Sequence, residues 1–121
     1  MSTVLIVDDH AAVRIAIREL FESCLESIIC GEAENGAEAI AKTRELKPDL
    51  VVLDLTMPVM DGFEAKALRQ LFPAIPIVML TAHYMETTKQ AAQQAGIRAV
   101  FSKHQDLSPL IAHARAVFGM P

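Results

Sequence analysis

The chain has 121 residues, 52% of them hydrophobic and 21% charged, and a net charge of −4. That length and balance fit one folded domain with a real core and exclude a disordered tail. The acidic balance argues against a broad basic face for nucleic acid. It leaves open a DNA-binding partner domain elsewhere.

In chain order, "TVLIV" (3–7) reads as a strand from its β-branched content. Residues 11–26 place Val13, Ile17, Leu20, Phe21 and Cys24 on one face, the spacing of a one-sided helix. "SIICGEA" (27–33) is a weaker strand. Residues 36–46 predict a helix with Ala39, Ile40 and Thr43 inward, stopped near Pro48. "DLVVLD" (49–54) is continuously apolar up to its last residue, as in a strand covered on both faces. A helix over 62–71 ends at "FPAIP", and "IVML" (77–80) is another buried strand. An Ala/Gln-rich helix over 84–95 is closed by Gly96. "AVFS" (99–102) is the fifth strand. The last helix, about 106–118, gathers Leu107, Leu110, Ile111, Ala114 and Val117 on one face.

Strand and helix alternate five times, which predicts a parallel sheet with helices on both faces. One domain over 1–121 is expected, without an output domain in this chain. No apolar run is long enough to cross a bilayer. "MSTVLIVDDH" lacks the basic start of a signal peptide. Cys24 and Cys30 read as small buried hydrophobes of a reducing cytoplasm.

Sites in open parallel sheets form beyond the carboxyl ends of the strands. There the first strand ends in Asp8 and Asp9, the third in Asp54, the fourth in Thr81, and the fifth in Ser102 and Lys103. Alone, Asp54 is no more than a turn or capping acid, and Asp8 or Asp9 could cap the first helix. Together they form a cluster. Close carboxylates repel, so one holds a proton or a cation sits among them. Oxygen ligands without nearby cysteine favour magnesium over zinc. A carboxylate can attack phosphorus to give an acyl phosphate. Lys103 and Thr81 could then neutralise and hydrogen-bond the transferred group. No zinc spacing links His10, His104 and His113, which read as surface residues. Gly62 and Pro58 read as loop geometry, and Met57 and Met60 as packing.

The motifs "VDDH" (7–10), "DLTMPVMDG" (54–62), "MLTA" (79–82) and "FSK" (101–103) carry a resemblance. In them the chain resembles the receiver domain of two-component response regulators over nearly its whole length. "VDDHAAVRIAIRELFE" looks like the receivers of LuxR-type transcription regulators. The resemblance implies a doubly wound, flavodoxin-like α/β sandwich with strand order 2-1-3-4-5, an order for which such receivers are a standard example. It implies that Asp54 accepts a phosphoryl group from a sensor histidine kinase or phosphotransfer protein. It implies Mg2+ held by Asp9, Asp54 and the carbonyl of Thr56, with Asp8 acting through water. It implies that Thr81 and Lys103 read the phosphoryl group, and that the fourth helix, fifth strand and fifth helix then rearrange. Homodimers through that face, or through the first and fifth helices, are implied as partners, and direct nucleic-acid or membrane binding is not.

Three positions depart from the family pattern. The aromatic switch position of the fifth strand holds Val100, and alternation sends neighbouring Phe101 to the other face. His104 stands where many receivers carry a cis-proline. A non-proline cis bond costs about 2.5–4 kcal/mol, so a trans bond or a rearranged loop is expected. His83 and Thr56 occupy positions that tune phosphoryl lifetime in the family.

Three rival functions make different demands on these residues. A haloacid-dehalogenase-like phosphatase would need an aspartate at Thr56 and a cap domain. A flavin module would need a hydroxyl- and glycine-rich loop where "DDHAAV" stands. A receiver-like interaction module working without phosphorylation shares every site residue.

Overall fold

The computed structural model describes residues 2–55, 62–81, 86–103 and 106–120, with the side chains of 54–55, 62–66, 86–88 and 91 left out. Its elements are β1 (Ser2–Val7), α1 (Ala11–Cys24), β2 (Ile28–Ala33), α2 (Gly36–Leu46), β3 (Leu50–Leu55), α3 (Gly62–Leu71), β4 (Ile77–Thr81), α4 (Glu86–Gln94), β5 (Ala99–Ser102) and α5 (Ser108–Phe118). The five strands are all parallel, in the order β2-β1-β3-β4-β5. The expected doubly wound α/β fold is therefore present.

Alternation along the strands divides the core in two. Val4, Ile6, Val52, Val78 and Leu80 pack with Ile17 and Phe21 of α1 and with Leu110, Ile111 and Ala114 of α5. Leu5, Val7, Val51, Leu53, Ile77 and Met79 pack with Ala39 of α2, Leu68 of α3 and Ala92 of α4. Each of the larger side chains contributes roughly 1.5–3 kcal/mol on burial, and the two layers enclose the sheet.

Local chemistry sets the boundaries. Asn35 caps α2 by accepting from the Glu38 amide at 2.8 Å. Thr43, expected inward, is buried because its hydroxyl donates to its own helix at Ala39 O, 2.6 Å away. Gly96 has φ +85°, as expected of a residue just past a helix. Strand ends move by a residue at most, and the end of α1 and the start of α5 move by two. α1 stops at Cys24, because Leu25 is extended and Ser27 takes φ 55° to turn into β2. α5 begins at Ser108, because Asp106 accepts from both the Ser108 amide (3.0 Å) and its hydroxyl (2.8 Å).

The register brings the carboxyl ends level. Val7 pairs with Leu53, so Asp8 and Asp54 each follow a paired residue. Asp54 pairs with Leu80, Leu55 with Thr81, and Thr81 with Ser102.

Candidate functional site

The site is built on the β1–α1 turn and the ends of β3, β4 and β5. Asp8 is the buried acid, 1% exposed. Its amide donates to Ala33 O of β2 at 3.0 Å, extending the β1–β2 ladder by one step. Its Oδ1 accepts from the His10 amide at 3.0 Å. Its Oδ2 makes no hydrogen bond among the described residues. The nearest cation is the Lys103 ammonium, 3.7 Å away. The Asp9 side chain points outward, 60% exposed, with Oδ1 at 2.9 Å from His10 Nδ1.

Burial pushes the Asp8 carboxyl above the ordinary range, and neighbouring Asp9 adds to this; the His10 amide and Lys103 oppose it. Asp9 moves the other way, chiefly because Asp8 hydrogen-bonds to it. Opposite shifts on adjacent carboxyls mean that the two acids do not titrate alike, with Asp8 the one that resists ionisation. Burial lowers the Lys103 ammonium, and Asp8 partly offsets that. Lys103 is 16% exposed. Its amide donates to Thr81 O at 2.9 Å, which fixes the end of β5 against the end of β4. Thr81 is buried and is the last residue of β4.

Ligand atoms of Asp8, Asp9 and His10 lie within 4.8 Å of one another. The orphaned, buried Asp8 Oδ2 and the outward Asp9 carboxylate fit a hard divalent cation that takes oxygen ligands. His10 is exposed, as expected, but it belongs to this cluster, which spacing alone did not reveal. Neither acid caps α1: the cap is His10, with no side-chain hydrogen bond. The Asp54 backbone lies in β3, and its side chain is among those left out. Thr56, His83 and His104 lie outside the described residues. Val100 packs in the α2–α4 layer and Phe101 in the α1–α5 layer, on opposite faces as alternation required.

Two residues escaped the sequence reading. Arg14 of α1 donates to the Asp8 carbonyl at 2.6 Å and to Glu32 at 3.1 Å. Its place one helical turn after His10 was the only available signal. The sequence pattern places His113 at the surface. Instead it is half-buried, its ring edge-on to Phe101 at 5.9 Å and its Nε2 buried. Burial and nearby Arg98 lower its basicity.

A five-stranded parallel sheet in the order β2-β1-β3-β4-β5 is the receiver topology, and the chain matches the response regulator receiver domain over residues 4–115. The protein belongs to that family. A Pseudomonas aeruginosa protein, provisionally named a transcriptional regulator, is 43% identical over 118 residues, covering 97% of this chain and 56% of its own length. Response regulator protein VraR of Staphylococcus aureus is 41% identical over 101 residues, covering 83% of this chain and 48% of its own. The chain thus spans about half the length of these curated relatives. The crystal structure of a LuxR-family two-component response regulator from Aurantimonas sp. SI85-9A1 superposes with a TM-score of 0.85. It is 30% identical, covering 99% of this chain and 87% of that one. No described helix is long and apolar enough to cross a membrane.

Proposed function

We propose that this receiver takes a phosphoryl group on Asp54 from the phosphohistidine of a sensor kinase or phosphotransfer protein. The observation that carries the reading is the buried Asp8 with Lys103 Nζ 3.7 Å away, level in register with Asp54. An Asp54 oxygen attacks phosphorus, the bond to the donor imidazole nitrogen breaks, and the imidazole leaves with its electron pair. Lys103 offers its ammonium to the transferred oxyanion, and Thr81 a hydroxyl. Asp8, Asp9, Asp54 and the Thr56 carbonyl would hold Mg2+, which supplies charge neutralisation at the phosphoryl oxygens.

The modified state biases the α4-β5-α5 face between two arrangements. Val100 leaves this relay without the aromatic rotamer that the family has at that position. Phosphoryl loss is set by Thr56 and His83 through control of water. The output is transcription regulation by a DNA-binding domain, a reading supported by the transcription-type relatives. Homodimers through α4-β5-α5 or α1-α5 carry the signal, in a cytoplasmic protein.

The test is incubation with Mg2+ and acetyl phosphate, followed by intact mass. Wild type should gain one phosphoryl group and Asp54→Ala none. No adduct on either protein would favour the interaction module that works without phosphorylation.

A further inference from the structure

The two acids sit on a turn that must hold its shape against their own repulsion. Both polar groups of the Asp8 peptide unit are engaged. Its amide donates to Ala33 O on β2, and its carbonyl accepts from Arg14 Nη1 at 2.6 Å. Arg14 Nε reaches Glu32 Oε1 at 3.1 Å, on the same edge strand. Glu32 is held in turn by Arg18 Nη1, and Arg18 Nη2 donates to Cys30 O at 3.2 Å. The Arg14 side chain is mostly buried, so its fork is not a solvated surface pair.

We propose that Arg14 is a positioning residue for the cation site. Its guanidinium ties the Asp8 carbonyl to Glu32 on β2 and so fixes where Asp8 and Asp9 present their carboxylates. This rests on the reading that these acids hold a divalent cation. Arg14 touches neither cation nor phosphoryl group; it acts through the Asp8 peptide. A planar fork suits that task, because it can serve a carbonyl and a carboxylate at once, which an ammonium on a flexible stem does not. Groups of this kind behind metal ligands typically govern affinity by factors of about 10–100.

Positioning and plain charge make opposite predictions. Arg14 is a cation near a cation site, so on charge alone its removal tightens metal binding. As a positioning residue, its removal weakens it. The probe is Mn2+, titrated into the protein and followed by loss of its free-ion electron paramagnetic resonance signal, with Mg2+ as competitor. Wild type should bind one Mn2+ that Mg2+ displaces. Arg14→Met should bind it at least about tenfold more weakly. Arg14→Lys, which keeps the charge and loses the fork, should also bind more weakly, by several-fold.

Melting of the metal-free proteins separates affinity from folding. Unchanged or tighter Mn2+ binding by Arg14→Met overturns the proposal. If Arg14→Met does not fold, Arg14→Lys decides, and wild-type affinity there overturns it equally. Failure of the wild type to bind Mn2+ removes the cation reading and this inference with it, a result distinct from a variant that matches a binding wild type.

Discussion

Asp8→Asn tests how the site sets function against stability. In the metal-free domain, Asp8 is 1% exposed and its Oδ2 lacks a hydrogen bond among the described residues. Burial and Asp9 outweigh the help from the His10 amide and Lys103, so the ionised form is disfavoured in the folded state. An amide at position 8 keeps the shape and an acceptor for His10 N–H. It also removes the carboxylate that neighbours Asp9 and puts a neutral amide donor in its place. Removing a buried, partly answered charge of this kind is expected to stabilise the metal-free protein by about 1–2 kcal/mol at pH 7. For a domain of this size that raises Tm by about 3–8 °C.

The pH dependence follows from the direction of the shift. A carboxyl raised in the folded state adds stability below its ordinary value of 3.8, and that stability is lost as pH rises through the higher folded value. The advantage of the variant should therefore vanish near pH 3.8 and below, and grow above it. Asp9, depressed in the folded state, acts in the opposite sense and below 3.8. Thermal melts by circular dichroism from pH 3 to 8, with and without Mg2+, make the measurement. Mg2+ should raise the wild-type Tm by mass action and leave the variant nearly unmoved. A metal-free variant no more stable than wild type at pH 7 would refute the account of Asp8 as a strained acid kept for its ligand role.

Two further outcomes are expected. The buried Cys30 thiol is pushed up to about 11, so at pH 8 iodoacetamide should label Cys24 first and reach Cys30 only in denaturant; equal labelling of both in the folded protein would contradict its burial. Lys47 closes α2 with φ 48°, a left-handed conformation that glycine adopts without penalty. Lys47→Gly should therefore stabilise the domain by about 0.5–1 kcal/mol, measured by urea unfolding.

Much of the fold was legible because its signals are local. Apolar runs bounded by turn residues mark strands, spacing marks helices, and Gly96 marks a helix end. The strand-end rule gathered Asp8, Asp9, Asp54, Thr81 and Lys103 without any tertiary information, because parallel strands all end on one edge. The motifs at 7–10, 54–62, 79–82 and 101–103 carried the family.

What the sequence could not supply depends on distance between elements. The misread end of α1 turns on a single positive φ at Ser27. His113 looked like a surface histidine until α5 laid it against Phe101 of β5, because helical phase alone does not say how deep a face is packed. Only tertiary structure makes Asp8 the buried acid and Asp9 the exposed one. They are neighbours of the same type, and which of them faces the sheet is decided by the Ala33 bond that extends β1. Likewise, only packing brings Arg14, Glu32 and the Asp8 carbonyl together across three elements. The residue types and their edge were written in the chain; the burial of Asp8 and the Arg14 contacts behind it exist only once β1, β2 and α1 meet.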